Sequence, residues 1–385
     1  MHIMFIPSWY ANERNKVHGS FFKEQALALQ SKGVKITVAY NEIWPLTLIN
    51  KVKEKSGLYF NIEDNLRTYR YKNYNFIPKS PLMFKVFNKR MEKLFKEIEK
   101  KEGKIDIIHA QSSLWGGISA AYLSKKFNVP LVITEHSSVE RGPYIRKSYI
   151  PCIVDSYNTA KELIAVGNGL KRELEELTKR DDIKVIGNLI HFSDFQLKDR
   201  KPNDKFIFFS LAFLEGEKGF DTLIKSFSKA FKDTNNCELV IGGDGSQREW
   251  LELLANKEGV SNKVTFLGAL SRHDVSKWMK QADAFVLPSR YETFGVVYIE
   301  ALASGTPVIG TFNGGAEDII TKDNGYIVNV DDINALANAM EKMAMNKDKF
   351  IPEKLREDCF NRFNPDVIAD KIISVYKNII KESEF

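Results

Sequence analysis

Two successive rounds of short apolar strands alternating with amphipathic helices predict an α/β protein built from two doubly wound, Rossmann-like domains. Length agrees, because 385 residues exceed what a single hydrophobic core usually supports. Composition agrees as well: 43% hydrophobic and 28% charged is that of an ordinary globular chain able to bury two cores. The expected division is a first domain over residues 1–190, a second over 191–364, and a final helical segment over 365–385.

In the first domain the apolar runs His2 to Ile6, Lys35 to Ala39, Ile105 to His109, Leu131 to Thr134, Ile164 to Val166 and Ile183 to Ile186 read as strands. Helical spacing marks Gly19 to Lys32, Trp115 to Phe127 and Gly169 to Leu177, and strands separated by helices imply a parallel sheet. A polar stretch, Ser193 to Lys205, precedes the second round. There Phe206 to Leu211, Glu238 to Ile241, Val264 to Leu267 and Ala284 to Leu287 read as strands, with helices at Gly219 to Phe231, Gln247 to Lys257, His273 to Gln281 and Phe294 to Ala303. The last helix is expected over Pro365 to Ile380.

Charge is unevenly divided. Residues 1–190 hold 31 Lys and Arg against 20 Asp and Glu, which leaves 25 against 30 for the remainder, so the first half is basic and the second mildly acidic. The densest basic segment, Lys79 to Lys104, carries Met83, Phe84, Val86, Phe87, Met91, Leu94, Phe95 and Ile98 at helical spacing among its lysines. Two readings stay open: a surface helix packed on its own core, or contact with an anionic membrane surface or a lipid-phosphate acceptor. Nucleic acid is not expected, since no binding motif accompanies the charge. Cys152, Cys237 and Cys359 are odd in number and lack metal-ligand spacing, so buried thiols are expected. The opening MHIMFIPSWY has neither a basic start nor a signal-peptide core, and no apolar run reaches membrane-spanning length. The expected location is cytoplasmic, with a peripheral position at the inner face of the membrane if the basic helix meets lipid.

The segment Ala282 to Gly310, ADAFVLPSRYETFGVVYIEALASGTPVIG, carries the most chemistry. A buried strand ending at Pro288-Ser289 passes through Gly295 into a helix, so the turn should open at the carboxyl end of a strand, where open α/β sheets bind ligands. A helix amino terminus there presents unpaired NH groups and a positive dipole end to a diphosphate, and Gly295 permits close approach. Glu292 precedes the helix and can reach past the phosphates. Glu300 lies more than a turn inside it, placed for its carboxylate to accept hydrogen bonds from two vicinal hydroxyls such as those of a ribose. A solvated or capping role is the alternative for each.

This string resembles the signature of the retaining glycosyltransferases of family 4, whose GT-B fold sets two Rossmann-like domains facing across a cleft. The resemblance runs over nearly the whole chain and implies residue roles. It assigns donor contacts to Glu292, Phe294, Gly295, Val296, Val297 and Glu300. In FIPSWYANERNKVHGSFF, Gly19 matches the glycine whose backbone faces the donor diphosphate, and in ITEHSS, His136 matches the histidine that approaches the donor sugar. In SLAFLEGEKGFDTLIKSF, Lys218 matches the lysine that neutralises the departing diphosphate. The family's usual arginine five residues earlier is replaced by Phe213, so the missing charge would come from a residue such as Arg290 or Arg141. Leu270, in VTFLGALSRHDV, stands where backbone groups recognise the base. His109, Asn188 and Arg141 are acceptor-side candidates, while the Gly243-Asp244-Gly245 and Asn313-Gly314-Gly315 turns read equally as site borders or plain loops. The resemblance also implies that the final helix crosses back to the first domain.

No Asp-x-Asp triplet or His and carboxylate cluster suggests a metal, so a metal-independent transfer is expected, with no cofactor beyond a nucleotide-diphosphate sugar, a UDP-sugar ahead of a GDP-sugar. The mechanism implied is front-face attack, in which the acceptor's proton passes to the leaving phosphate while Glu292 orients sugar hydroxyls, Lys218 stabilises the departing charge and His136 serves on the sugar side. The product would be a glycan, glycolipid or lipid-linked saccharide of the cell envelope, as in polysaccharide or lipopolysaccharide assembly. Two alternatives remain: a non-catalytic nucleotide-sugar-binding partner subunit, motivated by Phe213, and another nucleotide-sugar enzyme of the same fold, an epimerase or phosphorylase.

Overall fold

The computed structural model of the protein describes residues 1–15, 18–142, 144–197 and 204–383. Residues 198–203 of the polar stretch Ser193 to Lys205 therefore lie outside the described residues. The chain forms two compact units, Met1–Leu189 with Pro365–Phe385, and Ile190–Asn364.

In the first unit the elements run β1 (His2–Pro7), α1 (Ser20–Ser31), β2 (Lys35–Trp44), β3 (Gly57–Glu63), β4 (Leu66–Tyr74), α2 (Leu82–Glu102), β5 (Ile107–Gln111), α3 (Ile118–Phe127), β6 (Leu131–Glu135), α4 (Ile150–Thr159), β7 (Glu162–Ala165), α5 (Asn168–Thr178) and β8 (Lys184–Val185). They make one sheet of order β3-β4-β2-β1-β5-β6-β7-β8. It is not wholly parallel, as the alternation alone suggested. β3 and β4 form an antiparallel hairpin, closed by Asp64 and Asn65, both at positive φ. That is the two-residue turn whose twist suits a hairpin, and Asp and Asn tolerate the left-handed region better than most residues. The helix expected from Trp115 starts only at Ile118. Before it, Ser113–Gly117 form a wider turn with Trp115 at φ 66, because Gly116 is pressed against Ile6 and Ser8.

The second unit runs β9 (Phe206–Leu211), α6 (Phe220–Phe231), β10 (Cys237–Gly242), α7 (Arg248–Lys257), β11 (Val264–Gly268), α8 (Arg272–Gln281), β12 (Ala284–Val286), α9 (Val296–Ala303), β13 (Val308–Thr311), β14 (Gly325–Val328), α10 (Ile333–Met345) and α11 (Pro352–Phe363). All five strand pairings are parallel, in the order β11-β10-β9-β12-β13-β14. This is the doubly wound order in which the winding reverses between the first and fourth strands, here β9 and β12. β12 and β13 are fully buried apolar runs, as strands covered on both faces must be.

The last helix, α12 (Pro365–Ser383), belongs to the first unit. Ile368, Ile372, Val375, Tyr376 and Ile379 join the core made by Phe22, Ala26 and Leu29 of α1 and Ile3 and Phe5 of β1. Lys32 adds ion pairs to Asp366 and Asp370 at 3.2 and 3.1 Å. The basic segment also packs inward. In α2 the apolar face, Met83, Phe84, Phe87, Met91, Leu94, Phe95 and Ile98, is buried, with Phe95 stacked on Phe127 and Phe84 edge-on to Tyr149. Of the two readings of Lys79 to Lys104, that face takes the packed one and is closed to lipid. No helix among the described residues is long and apolar enough to cross a membrane. Cys237 and Cys359 are buried and Cys152 half-buried, all three as free thiols.

Candidate functional site

At the carboxyl edge of the second sheet, the loops after β9 and β12 flank the point where the winding reverses. The loop after β9 ends in Lys218 and Gly219, the latter at φ 69. A Cβ on Gly219 would lie 2.1 Å from the Pro288 carbonyl oxygen, so only glycine lets this loop press against the loop after β12. Across that contact Lys218 Nζ donates to Glu292 Oε1 at 2.7 Å, and Ser289 Oγ donates to the same oxygen at 2.9 Å. Both charged groups remain partly open to solvent, at 26% and 14% exposure.

Arg290, a candidate for the charge missing at Phe213, is engaged by two carboxylates. Its guanidinium bonds both Asp221 oxygens at 3.0 Å, reaches Asp331 at 2.7 Å, and donates to the Gly216 carbonyl. These two carboxylates push its basicity up, and together they clamp the Lys218 loop to the loop after β12. Phe213 itself is 77% exposed. Lys218, in contrast, pairs with the single carboxylate of Glu292.

The helix expected from Phe294 begins at Val296, because Gly295 adopts φ 92 and Phe294 turns its ring into the core against Phe363. A Cβ on Gly295 would meet the Tyr298 ring at 2.6 Å. Tyr298 is fixed in turn by donating to the Leu287 carbonyl at 2.6 Å, and burial raises its phenol well above the usual value. Val296 and Val297 therefore head α9, where backbone NH groups lack partners within the helix. Glu300 is half-buried one turn further on. Leu270 lies beside Gly242 at the carboxyl ends of β10 and β11.

The two glycine turns are structural as well as peripheral. Gly243 and Gly245 admit the backbone of Ala212 and Leu214, and Gly315 admits that of Phe294. Asn313 Oδ1 accepts from the Gly315 and Ala316 NH groups, while its carbonyl receives the Glu292 NH at 3.1 Å. Among the described residues, no group of three or more His, Cys, Asp or Glu is placed to hold a metal ion.

The first unit brings its own candidates to the carboxyl ends of β1, β5 and β6. Gly19, at φ 70, heads α1 against the Trp9 carbonyl, which a Cβ would meet at 2.5 Å. The His136 ring is packed by Phe21 and Phe22, and its Nε2 lies 2.8 Å from Gln111 Oε1, an acceptor, so Nε2 carries the proton. Nδ1 then presents a buried lone pair with no partner. Burial lowers His136 to about 3, and the adjacent Asn188 side chain works against that shift. Arg141 is exposed in the loop that follows.

His109 is not an acceptor-side residue. It is fully buried, with Nδ1 at 2.5 Å from Tyr376 Oη of α12 and Nε2 at 2.8 Å from Thr134 Oγ1. Its ring closes a core network: the strand expected to end at His109 runs on to Gln111, so His109 lies mid-strand in β5, which is buried along its whole length. Glu135, unremarked in the sequence, organises this edge: its oxygens accept from Ser113 N, Tyr157 Oη, His136 N and Ser137 N at 2.7 to 3.0 Å. A carboxylate immediately before the candidate histidine was the only local signal for it.

Two family models cover the chain: Glycosyltransferase Family 4 over residues 19–193 and Glycosyl transferases group 1 over residues 192–363. An uncharacterized glycosyltransferase of Methanocaldococcus jannaschii is 31% identical over 309 residues, 73% of this chain and 78% of the relative. The chain belongs to the family 4, group 1 glycosyltransferases. This glycosyltransferase is also similar to the putative teichuronic acid biosynthesis glycosyltransferase TuaC of Bacillus subtilis, 27% identical across 89% of each chain. Among solved structures, sucrose-phosphate synthase from Thermosynechococcus elongatus superposes with TM-score 0.76 at 19% identity, covering 99% of this chain and 100% of the other. Anabaena HepE in complex with UDP and glucose superposes at 0.72 with 18% identity, covering 98% and 99%. The fold of the glycosyltransferase is GT-B.

Proposed function

We propose that this glycosyltransferase moves a sugar, with retention of anomeric configuration, from a nucleotide diphosphate to a hydroxyl of a cell-envelope glycan, glycolipid or lipid-linked acceptor. The observation that carries the reading is the Lys218–Glu292 pair at the point where the winding reverses, beside the open head of α9. A donor diphosphate at that helix terminus would take Lys218 from Glu292. Glu292, released, would orient sugar hydroxyls and stabilise positive charge developing on the ring, and Glu300 would accept from the ribose. Lys218 and the Val296 and Val297 NH groups then serve the leaving phosphate without a metal. In the first unit, Gly19 and His136 are proposed as ligand contacts, His136 through its unpartnered Nδ1 accepting from a hydroxyl.

A UDP-sugar is the favoured donor; HepE, of the same fold, is known in complex with UDP and glucose. The envelope acceptor is supported by similarity to TuaC and to the capsular polysaccharide biosynthesis glycosyltransferase CapM of Staphylococcus aureus, 29% identical over 250 residues. The partner-subunit reading keeps one observation in its favour, exposed Phe213 without a replacement cation.

A thermal-shift screen against UDP, GDP, ADP and their sugar conjugates, with Glu300→Ala alongside, tests the proposal. A ligand at a hundred times its Kd stabilises by about 2.7 kcal/mol, so a shift for UDP conjugates that disappears in the variant is expected. No shift with any conjugate would sink the donor assignment.

A further inference from the structure

Strand β3 ends the first sheet and is bonded to β4 alone, so alternate backbone NH and carbonyl groups along Gly57–Glu63 face outward without a strand partner. Open edges of this kind are ordinarily protected by lysine, proline or a bulge. Here GLYFNIE contains no lysine or proline, and its pairing with β4 runs unbroken from Gly57–Lys72 to Glu63–Leu66. Alternate side chains add to the exposure. Leu58, Phe60 and Ile62 share one face and are 37%, 37% and 63% exposed. The Phe60 ring lies 4.7 Å from that of buried Tyr69, centre to centre, with the Arg67 guanidinium 5.0 Å above it, so the row extends the buried layer out to the open edge. Apolar groups aligned this way need a partner, whereas singly scattered ones do not.

The strand is complementary to itself. When two copies pair antiparallel with Phe60 opposite Phe60, Leu58 of each falls opposite Ile62 of the other, and both apolar rows share one face of a continuous sheet. A slip of two residues would set Ile62 against Ser56, or Leu58 against Asp64, and a slip of one would oppose apolar to polar faces. Charge follows the same register. Lys53 and Lys55 precede β3 and make no ion pair among the described residues, while Glu63 and Asp64 close it, so antiparallel pairing brings the basic end of each copy to the acidic end of the other. Glu63 is held by Arg70, but Asp64, bonded to Lys23, keeps 62% of its side chain exposed and is open to a second cation.

We infer that β3 is a docking edge for a second copy of this chain, the two copies joining as an isologous dimer about a two-fold axis through Phe60. A strand from an unrelated protein would have to match the backbone edge, the apolar row and the reversal of charge together; a second copy does so by symmetry. The contact is one short strand wide, so a Kd of about micromolar order is expected. The surface lies wholly in the first unit, so it stands whether or not the donor assignment does.

Sedimentation velocity of the full chain from about 1 to 100 µM tests this. The wild type should pass from monomer to dimer as concentration rises. Leu58→Glu and Ile62→Lys should each weaken association roughly tenfold or more, since each sets a charge against an apolar side chain at the contact. The double variant Leu58→Glu/Ile62→Lys should regain it, because the new carboxylate of each copy meets the new ammonium of the other, while within one chain the two positions lie too far apart to pair. Cross-linking gives a second readout, with the wild type and its three free thiols as baseline. Under oxidation Phe60→Cys, at the position that faces itself, should join two copies by a disulfide, and Leu58→Cys should do so far less. A wild type that stays monomeric throughout, single charge variants that dimerise like it, a double variant no better than the singles, or Leu58→Cys cross-linking as readily as Phe60→Cys would overturn the inference.

Discussion

Lys218 Nζ lies 2.7 Å from Glu292 Oε1, joining the loops after β9 and β12 where the second sheet reverses its winding. The pair sets two charges against each other. Under the proposed function a donor diphosphate would compete for the lysine, so that ligand entry and release of the carboxylate would be one event.

Replacing Lys218 with Ala should consequently slow transfer more than it weakens binding. Loss of one preorganised group facing developing charge costs roughly 10² to 10³ in kcat. Steady-state kinetics with the identified donor check this. A large rise in KM with kcat unchanged would make the lysine a simple anchor.

Gly219→Ala should be the most damaging single-methyl change at the site. The added Cβ would sit 2.1 Å from the Pro288 carbonyl, at φ 69. Backbone strain alone is worth about 1 to 2 kcal/mol, and the clash with backbone adds to it. Separation of the loops would also break the Lys218–Glu292 pair. Thermal melting should fall and donor affinity with it; a variant with wild-type melting would show that the loops are not held as described.

Acid should destabilise the first unit before carboxylates titrate. Burial holds His109 at about 3, helped by the neighbouring His136, and holds His136 at about 3 as well. An unfolded chain titrates its histidines near 6.5, so it binds more protons below that pH. Stability is complete above about 6.5 and declines as pH falls toward the folded values, by at most about 1.4 kcal/mol per pH unit for each histidine. Urea unfolding from pH 7.5 to 5 measures the slope, and His109→Asn should reduce it. A flat profile would mean the imidazoles can be charged in the folded state.

Chelation should leave turnover intact, because the proposed phosphate contacts are Lys218 and the head of α9. Assay in EDTA, with and without added divalent ion, decides the point. Activity lost in EDTA and restored by metal would require a ligand set that the loops after β9 and β12 do not provide by themselves.

The sequence by itself determined the elements and their kind. Period-2 and period-3.6 patterns are local, so the α/β class with two doubly wound sheets was legible, and so were the strand-to-helix turns carrying Lys218, Glu292 and Gly295. The β3–β4 hairpin, outside those expectations, does carry a local signal, the Asp64-Asn65 pair at its turn. Tertiary structure alone decided who meets whom. That Lys218 finds Glu292, that Arg290 is consumed by Asp221 and Asp331, and that His109 faces Tyr376 from more than 260 positions away are outcomes of strand order and crossover, to which no local pattern is sensitive. The same holds for α2: its spacing announced an apolar face, yet only tertiary packing decided that this face meets α3 and the sheet.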